Sequence, residues 1–402
     1  MPPSPSQHAA DALLINGQSL RSIRHHIHQN PELCYEEHQT ADFIAAALDA
    51  LAIPYERGLG GTGIVATLTG SGSRDAGQAP VIGFRAELDA LPLTEQNDFA
   101  HRSLVQGKKH GCGHDGHMTM LLGLAAWLSQ NRDFAGTVRF IFQPAEEGGA
   151  GARRMIEDGL LEAFPMDRIF SLHNWPDLPA GTVGVMPGPI MAGGQMIEVT
   201  VRGQGGHGAT PYACTDQLNI AVQILNQMHV FMARRLPPFS PAVLTITRFT
   251  GGEAMNVIPD QVHFDGTIRI LDDVAANIIR TELPSLIEGI ARSWGVEADV
   301  TLTDFYPVTS SNASAAELVE TAARNIGLKV ETSATGLRPA MTSEDFSFLL
   351  QKVPGCYFWL GQGGEHGLHH PSYDFNDDVL PTGVMLYAEI ARLALDQGKI
   401  DG

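Results

Sequence analysis

The stretch Gly111-Cys112-Gly113-His114-Asp115-Gly116-His117 packs one thiol, two imidazoles and one carboxylate into a single short segment. Donors of this kind bind transition metals, and the intervening glycines allow the tight backbone that aims several side chains at one point. For an isolated H-x-x-H, a Gly-rich turn that merely contains histidines is the plainer reading. Here, however, Met118-Thr119-Met120-Leu121-Leu122-Gly123-Leu124 follows at once and predicts a buried helix. The polar cluster then sits at that helix's N-terminus, where the helix dipole favours carboxylate or thiolate.

Three apolar runs end in further chemistry. Val81-Ile82-Gly83-Phe84 leads to Glu87-Leu88-Asp89, Val138 to Phe142 leads to Glu146-Glu147, and Arg168 to Leu172 delivers His173. In an open α/β sheet, ligands gather where parallel strands end, so donors at those points are informative. Two adjacent carboxylates repel unless a cation holds one of them. One acid on metal and one left as a proton carrier is the economical reading of Glu146-Glu147, with a solvated acidic loop as the alternative. A last polar loop, Gly367-Leu368-His369-His370-Pro371, carries paired histidines.

Elements must position these groups. Helices are predicted over Leu20 to His28, where Pro31 stops the pattern, and over Thr40 to Leu51. On the first, Arg21, Arg24, His25 and His28 are expected to face solvent or to stand behind the cluster. Gly60-Gly61-Thr62-Gly63 precedes a strand rather than a helix and lacks a following Lys-Ser/Thr, so it reads as a plain turn and not a phosphate cradle. The texture changes near Met191: strand, helix, two strands, helix and strand follow to about Leu302, a β-α-β-β-α-β order that predicts a small antiparallel sheet covered by helices. The expected fold class is therefore α/β, a catalytic domain with a central mixed sheet (1–190 and 307–402) interrupted by an α+β domain (191–306).

With 402 residues the chain is long enough for two cores. Its formal charge of -19 argues against nucleic-acid and anionic-membrane partners. The four cysteines, Cys34, Cys112, Cys214 and Cys356, show no disulfide spacing and point to a reducing, cytoplasmic setting. The first seven residues show no signal-peptide pattern, and no apolar run is long enough to span a bilayer.

Taken in order, Glu87-Leu88-Asp89, Gly111 to His117, Gln143-Pro144-Ala145-Glu146-Glu147-Gly148, His173 and His369-His370 closely resemble the M20 metallopeptidase family. The likeness is to its amidohydrolase branch, which includes hippurate hydrolases, N-acyl-amino-acid amidohydrolases and auxin-conjugate hydrolases, and it runs from about Ile23 to the last helix. It implies a dinuclear site with two divalent metals (Zn, Mn, Co or Ni) about 3.5–4 Å apart, and a lid or dimerisation domain. Carried across, Cys112, His114, Glu147, His173 and His369 are the ligands, with Cys112 in the bridging place, and Glu146 is the general base. His207 and Asn256 match lid residues that stabilise the oxyanion, His207 reaching a partner subunit, and Arg269 matches an anchor for a substrate carboxylate.

The resemblance thus implies hydrolysis of a small-molecule N-acyl-amino acid by a homodimer or dimer-based oligomer. A dipeptidase, an N-carbamoyl-amino-acid hydrolase and a retired, metal-binding relative are the alternatives, and Glu146 argues against the last. Two details depart from the pattern or leave it open. Glu87 replaces the branch's usual Asp and is expected to stand behind the ligands; His370 competes with His369, which the Leu-His-x-Pro pattern favours.

Overall fold

The computed structural model describes Ala10, residues 12–73 and residues 79–397. The first seven residues, where no leader pattern was expected, lie outside the described residues. The runs Gly355–Gly361, Arg168–Trp175, Val81–Glu87 and Thr137–Gln143 become adjacent parallel strands, which explains their nearly unbroken apolar character: both faces are covered. Antiparallel neighbours extend this centre. Gly63–Thr69 and then Tyr55–Leu59 add to one side, Thr182–Gly184 to the other, and Lys329–Glu331 closes that edge in parallel. The result is an eight-stranded mixed sheet.

Helices cover it. His114–Gln130 is buried along nearly its whole length and packs against Leu20–Gln29 and Leu380–Gln397. Gly123 makes this close approach possible, because a Cβ there would lie 2.4 Å from a methyl of Val384. His38–Ala50 and Ala313–Asn325 join the same core through Ile44, Leu48, Leu318 and Val319. No helix among the described residues is long and apolar enough to cross a membrane.

Contacts divide the chain into two units: residues 1–190, 310–338 and 345–402 form one, and 191–309 with 339–344 the other. The expected span of 191–306 is thus extended at its end and gains a short excursion from later in the chain. Backbone bonding explains the excursion, since Met191 bridges Ala340 and the Ala192 N–H donates to the carbonyls of Ala340 and Thr342. In the second unit an antiparallel sheet runs Ala242–Thr250, Gln261–Ile270, Gly193–Arg202, Glu297–Tyr306. Ile197, Val199 and Val201 point into a core roofed by Gln217–Arg234 and Asp273–Ser293, while Glu198, Thr200 and Arg202 alternate outward. Asp216 and Asp272 cap those two helices through their side chains.

Candidate metal centre and its surroundings

Parallel neighbours end at the same edge of a sheet, and that brings the sequence groups together. Asp89 follows Val81–Glu87, Glu146 and Glu147 follow Thr137–Gln143, and His173 lies near the end of Arg168–Trp175. Cys112 and His114 enter from the N-terminus of the His114–Gln130 helix, where Gly113 takes a left-handed φ of 93°. A side chain at Gly113 would also collide with Asn174 Oδ1 at 2.2 Å.

Two of the five donor groups among the described residues share Cys112. Cys112, His114 and His173 make one; Cys112, Glu147 and His369 make the other, the ligand atoms of each lying within 4.8 Å of one another. The thiol belongs to both. Within them, Cys112 Sγ is 3.5 Å from His173 Nε2, and His369 Nε2 is 3.2 Å from Glu147 Oε1. Glu146 stands alongside, its Oε2 4.0 Å from His114 Nε2. The paired histidines differ in placement: His369 adopts φ 64° with its N–H on the Gly111 carbonyl, whereas His370 stacks on His366 at 4.4 Å.

Of the seven-residue cluster, only Cys112 and His114 join these two groups. Asp115 turns back into the core, where it accepts from His28 Nδ1 at 2.7 Å and from Arg24 Nη1 at 3.3 Å. His117 bridges Glu87 Oε2 at 2.8 Å and Asn174 Oδ1 at 2.7 Å. Although Glu87, His114 and His117 also approach within 4.8 Å, both nitrogens of His117 are already hydrogen-bonded and Glu87 is paired with Arg85. Glu87 belongs to neither triad that contains Cys112.

Supporting groups surround these side chains. The Asp89 carbonyl faces His114 Nδ1 at 2.8 Å, which turns Nε2 toward the other donors. Asp89 Oδ2 accepts from the Glu147 N–H at 2.9 Å and from the Cys34 thiol, whose Sγ also reaches the Glu147 carbonyl. The Asn174 amide donates to Tyr373 Oη and Gln362 Oε1, tying the His173 strand to the loop that carries His369. Asp345 accepts from Arg85, Gln143 and the Ala152 N–H, fixing the loop of Glu146 and Glu147 from behind. Cys34 and Asp345 gave no signal beyond their residue types, because their partners lie far away in sequence.

Charge at the site is unbalanced. Burial opposes a positive His114, but Asp89, Glu87 and Glu147 outweigh it and hold the imidazole up to about 10. Burial, followed by Glu147 and Glu146, pushes the Cys112 thiol well above its ordinary range. His173 moves the other way, lowered by burial and by His117. His114 Nε2 is buried without a hydrogen-bond partner among the described residues, and Glu147 Oε1 is buried beside the His369 imidazole. Divalent cations fit this donor set: they would occupy the unpartnered nitrogen, neutralise the carboxylate and stabilise the thiolate that burial disfavours.

The residues matched to lid functions lie in the second unit. His207 and Val257 pair across a short antiparallel ladder, and the Gly208 N–H donates to the Asn256 carbonyl at 2.8 Å. This places His207 and Asn256 beside each other at one exposed edge. Arg269 stands on the sheet face opposite the helices, half-buried, and donates to Ser343 Oγ.

Comparison with known proteins agrees with this architecture. The profile of Peptidase family M20/M25/M40 matches residues 83–393. N-acetylcysteine deacetylase of Bacillus subtilis is 35% identical, the match covering 94% of this chain and 98% of that protein. Thermostable carboxypeptidase 2 of Saccharolobus solfataricus is 36% identical over 92% of this chain and 93% of its own. Among solved structures, the Bacillus subtilis YXEP protein, described as a dinuclear metal binding peptidase from the M20 family, superposes with a TM-score of 0.82 at 33% identity, covering 95% of this chain and 98% of its own.

Proposed function

Because the chain belongs to peptidase family M20/M25/M40 and is a metal-dependent amidohydrolase, we propose that it hydrolyses the amide bond of N-acyl-L-amino acids, releasing a carboxylate and a free amino acid. The observation that carries this reading is the placement of Glu146. It approaches His114 and Glu147 closely enough to be a third donor with them, 4.0 Å from His114 Nε2, yet it stands outside both triads that share Cys112, whereas its neighbour Glu147 belongs to one of them. A protein that only bound metal would have no use for that second acid.

In this reading Cys112, His114 and His173 hold one divalent ion, and Cys112, Glu147 and His369 the other. Ions so held supply Lewis acidity to the amide carbonyl and make a bound water more acidic. Glu146 takes the proton from the attacking water and later delivers it to the leaving amine. His207 and Asn256 donate to the tetrahedral oxyanion, and Arg269 anchors the substrate carboxylate. His207 serves the partner's site in a homodimer. The soft thiolate suits zinc, cobalt or nickel, with manganese the harder option. All four cysteines are unpaired, which suits a reducing cytoplasm.

A second reading keeps the chemistry and makes the acyl group an aminoacyl or peptidyl one; the likeness to a carboxypeptidase favours it. An N-carbamoyl group is the remaining variant. The deciding test is amino-acid release from N-acetyl, N-benzoyl and long-chain N-acyl amino acids, dipeptides and N-carbamoyl amino acids. It is run on metal-stripped protein with and without Mn²⁺, Co²⁺, Ni²⁺ or Zn²⁺. Metal-dependent release from the N-acyl set is expected. Release confined to substrates with a free amino group would transfer the assignment to the peptidase reading.

A further inference from the structure

The short segment before the helix His38–Ala50 lies far from Glu146 and Glu147 in sequence, yet it grips their loop at three points. Cys34 Sγ donates to the Glu147 carbonyl at 3.1 Å, Tyr35 Oη donates to the Gly149 carbonyl at 2.6 Å, and Glu37 Oε1 accepts from the Ala145 N–H at 2.9 Å. The residues held alternate, 145, 147 and 149, and so bracket the two acids. This loop needs holding. Ala145 and Ala150 take left-handed φ values of 53° and 54°, and Glu146 and Glu147 set two carboxylates side by side. A left-handed residue other than glycine costs on the order of 1–3 kcal/mol and persists only where its surroundings fix it. Adjacent acids add repulsion.

Glu37 is the centre of the grip. It is fully buried at the N-cap position of His38–Ala50, but its side chain caps no N–H of that helix. The carboxylate turns elsewhere: Oε1 also accepts from the Tyr35 N–H at 2.9 Å, and Oε2 accepts from Thr62 Oγ1 at 2.7 Å. Tyr35 is itself left-handed, with φ 63°. One oxygen therefore joins the N–H groups of two left-handed residues, one on each segment. Thr62 belongs to the turn Gly60-Gly61-Thr62-Gly63, which packs on the start of the same loop: Cβ atoms added at Gly60 and Gly63 would each lie 3.1 Å from a ring carbon of Pro144. Desolvating an acid is costly, and these three donors offset that cost.

We propose that Glu37, with Tyr35 and Thr62, is a clamp that positions the loop of Glu146 and Glu147. By fixing the Ala145 N–H it keeps Glu147 among the ligands and Glu146 beside them. Glu37 is a positioning residue: it touches no substrate and carries no proton, and its effect passes through the backbone of Ala145. Its effect on turnover rests on the hydrolytic reading, whereas its effect on the loop does not. A geometric role makes glutamine an adequate substitute, since the amide oxygen can accept from both N–H groups while the amide nitrogen donates to Thr62 Oγ1. Alanine supplies neither. A residue acting by charge or proton transfer would fail with glutamine and alanine alike.

Two measurements compare the native protein with Glu37→Ala, Glu37→Gln and Tyr35→Phe. Hydrogen exchange of the peptide that contains Ala145, read by mass spectrometry, needs no substrate. Glu37→Ala should speed exchange there about tenfold or more, and Glu37→Gln should stay close to native. Hydrolysis of N-acetyl-L-methionine at saturating metal is the second. Glu37→Ala should lower kcat about 10–100-fold with KM within about threefold, because a misplaced base costs rate and not affinity. Glu37→Gln should restore kcat to within about threefold of native, and Tyr35→Phe should lower it about 3–10-fold. If nothing is hydrolysed but the exchange pattern holds, the clamp stands and the hydrolytic reading falls. The clamp is overturned if Glu37→Ala leaves exchange unchanged, if it leaves kcat unchanged in a protein that hydrolyses, or if Glu37→Gln fails as alanine does. Should Glu37→Ala not fold, the other two variants decide: rescue by glutamine with faster loop exchange in Tyr35→Phe upholds the clamp, and failure of either overturns it.

Discussion

His28 Nδ1 and an Asp115 carboxylate oxygen meet 2.7 Å apart in the interior, with neither side chain exposed. Arg24 joins them from the preceding turn of the same helix and also reaches Asp374 and Asp377. Burial opposes a charge on Asp115, but His28 and Arg24 more than offset it and hold the carboxyl far below its usual range. Asp115 lies in the first turn of the helix whose N-terminus presents Cys112 and His114. The ion cluster therefore pins the start of that helix from behind.

Replacing Asp115 by Asn should be costly, because Arg24 and His28 would keep buried charge with one acceptor fewer. Removing one partner of a buried pair typically costs about 3–5 kcal/mol. The lower end is expected here, since Asp374 and Asp377 still compensate Arg24. Urea unfolding of the two proteins measures it; a loss under about 1 kcal/mol would show that the cluster does not bear on stability.

Glu146→Gln keeps the shape of the side chain and removes its basicity. Metal content, read by mass spectrometry of the dialysed protein, should stay at two ions. Turnover should fall by about 10²–10⁴, the usual contribution of a positioned base. Metal loss in place of turnover loss would move Glu146 into the ligand set and Glu147 toward the base role.

The paired histidines offer a clean contrast. His369→Ala should lose one ion, or bind it about 10–100-fold more weakly, because His369 stands against Glu147. His370→Ala should keep both ions, since its ring is spent on His366 and the Ser372 N–H. Equal metal loss in the two variants would mean that the whole loop, and not one imidazole, holds the second ion.

What could be read in the sequence follows from where the donors lie. Cys112, His114, Glu146, Glu147 and His173 sit at the ends of apolar runs or at a helix start, and such positions converge whenever the runs are parallel neighbours. The strand order itself is a matter of distant register, which local patterning does not encode. For Arg24 and His28 the sequence leaves open whether they face solvent or stand behind the cluster, because nothing near them in sequence reveals Asp115 as their partner. Three-residue strands such as Thr182–Gly184 and Lys329–Glu331 are too short to show a period. The excursion of residues 339–344, with Ser343, is legible only once Met191 and Ala340 are seen to bridge.

Gly113→Ala tests how tightly the donor helix is placed. Its φ of 93° disfavours any side chain, and a Cβ would meet Asn174 Oδ1 at 2.2 Å and Tyr373 Oη at 2.7 Å. Those two groups hold His117 and the His369 loop, so relief by movement would disturb the donors themselves. A loss of about 2–4 kcal/mol is expected from backbone strain plus overpacking, together with weaker metal binding. Thermal unfolding with and without added metal measures both effects; an unchanged midpoint would show that the loop yields without cost.

The last prediction concerns pH. Burial raises the Glu95 carboxyl, but His28, the Ser103 N–H and Asn97 pull it the other way and leave it at about 2, against an ordinary 4.5. A depressed carboxyl contributes stability that is complete above its unfolded value and disappears as pH falls toward the folded one. His28 is shifted upward, chiefly by Asp115 and then Glu95 working against burial. Its contribution is complete below 6.5 and is lost as pH rises through its folded value. Both contributions are therefore complete together between 4.5 and 6.5. Glu95→Gln should lower the unfolding midpoint most in that window. The gap should shrink as Glu95 protonates, and again in alkali as His28 loses its proton, leaving the Lys109 contact at 3.3 Å and the hydrogen bonds from the Ser103 N–H and Asn97. Scanning calorimetry at about pH 3, 5.5 and 9 checks the profile; a constant offset would mean that Glu95 contributes packing and no charge.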